Sequence, residues 1–224
     1  MIVTIKRQRT PEDAPYWQSF SYNGPLHVPV SAVLDAINYT DDIYDTDGKP
    51  APRIRWECSC MQALCGGCAM VINGVPALAC NTFADEVKGE ELVLAPLSKF
   101  PVVADLIVDR SVIYQNLNQA KAYIEGLAIS SPQYHDHQYS IAKCLKCGLC
   151  LEVCPNYHPG GKFYGAILAN ESYLLASQSQ EANPPIVKEY RAHFAAGCSK
   201  ALSCQKVCPA GIETLSSILK MNRR

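Results

Sequence analysis

The sequence has no surplus of charge of either sign: 20 lysines and arginines face 21 aspartates and glutamates over 224 residues. No basic block is present to neutralise phosphates, so nucleic acid is not an expected partner. The chain also lacks any apolar run near the roughly 18 to 20 residues that cross a bilayer. Its longest candidate, Phe100 to Val108, is interrupted by Pro101 and Asp105, so no direct membrane span is expected. Met1 to Arg9 alternates like a strand and carries neither the apolar core of a signal peptide nor a twin-arginine pair. A mature chain starting near Met1, in a reducing compartment, is the expectation. A hydrophobic content of 48% excludes wholesale disorder. Missing too is any Ser/His/Asp or Cys/His arrangement suited to nucleophilic catalysis, so no catalytic residue is assigned.

What the chain does have is cysteine, 12 in 224 residues, or about 5%, which is below the range of disulfide scaffolds. The cysteines bunch: one group lies between Cys58 and Cys80, one between Cys144 and Cys154, one between Cys198 and Cys208. Disulfide frameworks spread their cysteines, whereas metal sites bunch them because several thiolates must reach one small object. Metal is the favoured reading.

The first hundred residues read as β-rich. Ile2–Lys6, Trp17–Tyr22, Arg53–Trp56, Ala69–Ile72 and Glu91–Ala95 suggest strands, with Asn73-Gly74 as a hairpin turn. Ser31 to Tyr39 suggests one helix with Ser31 as N-cap, and Asp41 to Pro52 a polar loop. A small mixed sheet with one helix packed on it fits this order. After Pro96, Val103, Leu106, Ile107, Ile113, Tyr114 and Leu117 recur at helical spacing, and Tyr164–Leu175, Val187–Ala196 and Ala210–Met221 read as further helices. The expected fold class is α+β, with a β-rich domain over 1–98 and an all-α domain over 99–224.

Three cysteine patterns carry chemistry. Cys60-x4-Cys65-x2-Cys68-x11-Cys80 has the plant-type [2Fe–2S] spacing, and Gly66 and Gly67 allow the backbone to approach a cluster closely. Four thiolates also suit zinc, although zinc knuckles usually pair two short C-x2-C units. Cys58 is surplus, either a residue beside the site or an alternative to Cys60. The second pattern, Cys144-x2-Cys147-x2-Cys150-x3-Cys154-Pro155, is the bacterial ferredoxin run, whose fourth cysteine serves the other cluster. The third is the same run from Cys198 to Pro209 with Ala201 in place of its second cysteine. Exchange of fourth ligands assigns Cys144, Cys147, Cys150 and Cys208 to a [4Fe–4S] cluster. It leaves Cys154, Cys198 and Cys204 for a second cluster with no protein ligand at the corner facing Ala201. That cluster is read as [3Fe–4S], the alternative being [4Fe–4S] with a foreign ligand. His135 and His137 read as loop residues, with cluster neighbours as the lesser reading. His158 carries more weight than they do as a candidate polar group near the three-thiolate site, against an ordinary loop residue.

With these motifs, and with Phe100-Pro101-Val102-Val103-Ala104-Asp105-Leu106-Ile107-Val108-Asp109-Arg110-Ser111 between them, the chain resembles the iron–sulfur subunit of the succinate dehydrogenase and fumarate reductase family over nearly its whole length. The resemblance implies a β-grasp, plant-type ferredoxin-like domain followed by a helical bacterial-ferredoxin-like domain. It implies three clusters that relay electrons between a FAD-containing catalytic subunit and quinone held by membrane anchor subunits, with [3Fe–4S] nearest the quinone. It also implies a peripheral location on the cytoplasmic face of the inner membrane, with His158 and Pro155 as candidates on the quinone side. Ser199 stands where a histidine is often seen in the family, and the stretch Cys154 to Pro159 lacks a tryptophan that many quinone-reducing relatives carry. The other readings weighed are a subunit of a related flavoprotein oxidoreductase with another substrate or a soluble electron partner, and a stand-alone ferredoxin carrier.

Overall fold

A computed structural model describes residues 1–124, 126–129, 132–181 and 184–224. The chain divides into two compact units, Met1–Asp109 and Arg110–Arg224.

The first unit is built on β1 (Ile2–Arg7), β2 (Tyr16–Ser21), β3 (Ala69–Ile72), β4 (Val75–Leu78) and β5 (Glu91–Ala95), ordered β2-β1-β5-β3-β4 in one sheet. β1 pairs antiparallel with β2 and parallel with β5, where Val3 lies beside Leu92. Alternation along β1 sends Val3, Ile5 and Arg7 to the buried face, as a half-buried strand requires. Helix α1 (Val30–Asn38) buries Val30, Val33, Leu34 and Ile37. Five strands with a parallel central pair and one helix make a β-grasp.

Several local expectations are corrected here. Ser31 lies inside α1, whose N-cap is Pro29 with no side-chain cap bond. Residues 53–56 form no strand, because side chains claim their backbone. Arg7 donates to the Pro52 and Arg53 carbonyls, Asn38 exchanges two bonds with Ile54, and Asp105 accepts from the Arg55 amide. The helical spacing read through Val103, Leu106 and Ile107 is instead a hairpin of β6 (Val102–Ala104) and β7 (Ile107–Val108), turned at Asp105 with φ +49. Asp105 explains why the first unit extends to Asp109 and not to residue 98. Its fully buried carboxylate sits 3.0 Å from the Arg7 guanidinium and accepts from the Gln8 amide. Breaking such a buried pair typically costs about 3–5 kcal/mol, so the hairpin belongs to this core.

The second unit holds α2 (Ser111–Gln119), α3 (His135–Ala142), α4 (Leu149–Glu152), α5 (Gly165–Gln178), α6 (Pro185–Tyr190), α7 (Ser203–Lys206) and α8 (Thr214–Met221). α5 is buried along most of its length and packs against α3, α4, α6 and α8, so it is the axis of the unit. Its surroundings include Ile141, Val187, Tyr190, Phe194, Ile218 and Met221. Pro185 opens α6 at a position where its missing N–H costs nothing. The helix read through to Ala196 changes at Arg191 into a π-helical turn that ends just before Cys198. The last helix begins at Thr214, later than the Ala210 expected. His135 and His137 lie on α3 and not in a loop.

Candidate functional site

In the first unit, the β3–β4 hairpin brings two distant cysteines together. Asn73 and Gly74, at φ +44 and +80, form the left-handed turn that two-residue hairpins favour. The register sets Ala69 opposite Leu78. Cys68 and Cys80 flank these strands, and the Ala79 amide donates to the Cys68 carbonyl. Cys60 and Cys65 lie in the preceding loop. Positive φ at Met61, Ala63 and Gly66 turns that loop's amides inward. Gln62 and Leu64 donate to Cys60 Sγ at 3.4 and 3.2 Å, Ala63 to Cys80 Sγ at 3.3 Å, and Gly67 to Cys65 Sγ at 3.4 Å. The Gln62 and Leu64 amides lower the Cys60 pKa to about 7, whereas burial raises Cys68 to about 12. Cys58 receives none of these donors. It is exposed, and partial desolvation together with the charges of Asp35, Cys65 and Cys80 raises its pKa. Four thiols ringed by N–H donors suit an anionic two-iron group.

The second unit repeats one loop twice. Lys146 and Lys200 take φ +53 and +60, and Gly148 and Leu202 take φ +88 and +56. From Gly148 the amides of Leu151, Glu152, Val153 and Cys154 bond to the carbonyls of Gly148, Gly148, Leu149 and Leu151. From Leu202 the amides of Gln205, Lys206, Val207 and Cys208 repeat that pattern one for one. The two short helices so formed, α4 and α7, pack together. In this frame Ala201 is the backbone equivalent of Cys147, and its side chain is exposed.

The cysteines regroup across the repeat. Cys144, Cys147, Cys150 and Cys208 line one small cavity with Ile167 and Ile212. Cys154 and Cys198 act electrostatically on Cys204. Burial raises the pKa of Cys144, Cys150 and Cys204, and pushes Cys147 to about 11. Such thiols keep their protons unless a cation compensates the thiolate charge, and iron does so. Among the described residues no three His, Cys, Asp or Glu side chains converge closely enough to hold a single metal ion. The donor sets are all sulfur, as iron–sulfur clusters require.

Two side-chain pairs at these loops were not foreseen. Lys146 forms a close ion pair with Glu171 of α5, with side chains only 20% and 14% exposed, and lines the cavity of the four cysteines. Burial lowers the Lys146 pKa, but Glu171 and Cys144 outweigh it and the net shift is upward. Ser199 donates to Asn156 Oδ1 at 2.8 Å, tying the segments after Cys154 and Cys198 together. His158 and Pro155 are exposed on that same stretch. His137 stands apart as a packing residue, 3.1 Å from Ser217 Oγ and against the Tyr173 ring. Lys146 sits between two cysteines of a run and Ser199 stood out as a departure from the family, but nothing in the sequence pointed to their partners Glu171 and Asn156.

Residues 2–115 match the family model of the 2Fe-2S iron-sulfur cluster binding domain, and residues 140–212 that of the 4Fe-4S dicluster domain. The chain is 31% identical to the succinate dehydrogenase iron-sulfur subunit of Bacillus subtilis, over 98% of this chain and 90% of that one. It is 30% identical to the fumarate reductase iron-sulfur subunit of Mycobacterium tuberculosis, over 97% and 90%. Among solved structures, a chain of the Mycobacterium smegmatis Sdh1 complex in the apo form shares the fold with a TM-score of 0.79 at 20% identity, covering 100% of this chain and 94% of that one. [2Fe–2S] and 4Fe–4S cluster domains are both present, and no helix among the described residues is long and apolar enough to cross a membrane.

Proposed function

Because this chain belongs to the iron–sulfur subunit family of succinate dehydrogenases and fumarate reductases, we propose that it is the electron-transfer subunit of such a complex, relaying electrons between a FAD-containing catalytic subunit and membrane quinone. It has no catalytic residue of its own in this reading. Anchor subunits hold it at the cytoplasmic face of the inner membrane.

Cys60, Cys65, Cys68 and Cys80 hold the [2Fe–2S] cluster. Cys144, Cys147, Cys150 and Cys208 hold [4Fe–4S], and Cys154, Cys198 and Cys204 hold [3Fe–4S]. When bound, these groups supply reversible one-electron chemistry. The chain's residues do the rest. The Gln62, Ala63, Leu64 and Gly67 amides stabilise sulfur charge in the first site, and burial excludes water from the thiols of the second unit. His158 and Pro155 lie on the quinone side. The observation that carries the reading is the repeated loop with alanine where the fourth thiolate belongs, since it separates one three-thiolate site from two complete ones.

Purification of the native complex followed by paramagnetic resonance during a redox titration tests it. The expected result is a stoichiometric flavin-bearing partner and three cluster signals, one of them visible only in the oxidised state. A cluster-loaded chain that purifies without a flavin partner would overturn the relay. An oxidised complex with all iron accounted for and no three-iron signal would overturn the ligand set.

A further inference from the structure

Lys146 carries a charge into a place where charge is costly. Its ammonium is mostly shielded from water and pairs with Glu171 of α5, and the residue lines the same small cavity as Cys144, Cys147, Cys150 and Cys208. A buried ion pair of this kind gives little net stability, so packing alone is a weak reason for it. Its counterpart in the repeated loop, Lys200, has the same backbone conformation but an exposed side chain. The left-handed position therefore does not itself direct the lysine inward. Glu171 does, by reaching the loop from the central helix.

We propose that Lys146, held in place by Glu171, is the positioning charge that raises the reduction potential of the cluster bound by Cys144, Cys147, Cys150 and Cys208. The inference rests on the ligand reading above for Cys144. Reduction adds one negative charge to the cluster, and a cation beside the cluster's cavity stabilises that added charge more than it stabilises the oxidised form. Burial keeps the interaction from being screened. Lys146 lines the cavity of the four cysteines and Glu171 does not, so the ammonium is the charge on the cluster's side and the pair acts as a net positive charge despite its formal neutrality.

The test uses the intact complex and a redox titration of the [4Fe–4S] signal in four variants. Lys146→Met should lower the midpoint so that, at the wild-type midpoint, the reduced-to-oxidised ratio falls about tenfold, or about 59 mV for one electron. Glu171→Gln should move it the opposite way, because Lys146 then acts without a countercharge. Lys146→Arg should stay close to wild type. A packing role predicts no such opposition of sign. An unshifted midpoint in Lys146→Met, or shifts of the same sign in Lys146→Met and Glu171→Gln, overturns the proposal. If Lys146→Met fails to assemble the cluster, Glu171→Gln decides: a raised midpoint supports the proposal and an unchanged one ends it. Cys144→Ser separates the two readings, since an unaffected [4Fe–4S] signal there removes the ligand assignment itself.

Discussion

The two cysteine loops of the helical unit share a backbone and differ in what they do with it. Both place a lysine and the residue two positions later at positive φ, and both then form one short helix with the same four amide bonds. In the first loop, the frame carries Cys147 and Gly148, and its lysine is partly buried against Glu171. In the second it carries Ala201 and Leu202, and its lysine is exposed. The backbone thus fixes where ligands can stand, and side chains decide how many stand there and what charge surrounds them. On the proposed ligand assignment, one loop geometry serves two chemically distinct clusters in a single unit.

The largest expected effect comes from breaking the exchange of ligands between the loops. Cys208 lies in the second loop but lines the cavity of the first three cysteines. Cys208→Ala should therefore abolish the [4Fe–4S] signal while the three-iron signal persists, and Cys154→Ala should do the reverse. Iron and sulfide content with paramagnetic resonance reads both. Loss of each loop's own cluster instead would show that the loops are independent.

Next in size is the conversion of one loop toward the other. Ala201→Cys places a thiol at the backbone equivalent of Cys147, and the third cluster should become [4Fe–4S]. Its oxidised-state paramagnetism should vanish, and its potential should fall because another thiolate adds negative charge. Exchange with quinone should then slow, while reduction of an artificial dye that accepts electrons upstream should be less affected. Full four-iron loading with no change in the oxidised spectrum would break the equivalence of Ala201 and Cys147.

Much of this architecture was legible because its signals are local. Cysteine spacing and strand alternation lie within a few residues of one another, and the three cysteine groups, the Asn73-Gly74 turn and strands β1, β2, β3 and β5 could be read from them. β4 was not, since Pro76 argues against a strand. Its place at the sheet edge makes the missing N–H harmless. Residues 53–56 have strand-like composition, yet Arg7, Asn38 and Asp105 take their backbone bonds from far along the chain. The helical spacing near Val103 was misleading because Asp105 at positive φ turns the chain there. Lys146 and Glu171 meet only through tertiary packing of a loop on α5. Local patterns placed the cysteine groups; the charges around them required the fold.

The smallest expected effect tests the shared backbone directly. Gly148 and Leu202 hold equivalent left-handed positions, where an L side chain costs roughly 1–2 kcal/mol. Leu202 already bears that strain, so a Cβ at Gly148 should be tolerated at about the same cost. Gly148→Ala should lower the stability of the cluster-loaded protein by about 1 kcal/mol, a downward shift of a few degrees in the thermal midpoint. The reverse change should give no mirror-image gain. Leu202→Gly relieves strain but frees the unfolded chain by roughly 0.5–1 kcal/mol and removes a half-buried side chain, so its midpoint should barely move. Anaerobic melting followed by cluster absorbance and far-ultraviolet circular dichroism measures both. If Gly148→Ala cost nothing, or as much as the loss of a ligand, the loops would differ in backbone. The alignment that sets Ala201 opposite Cys147 would then lose its geometric support.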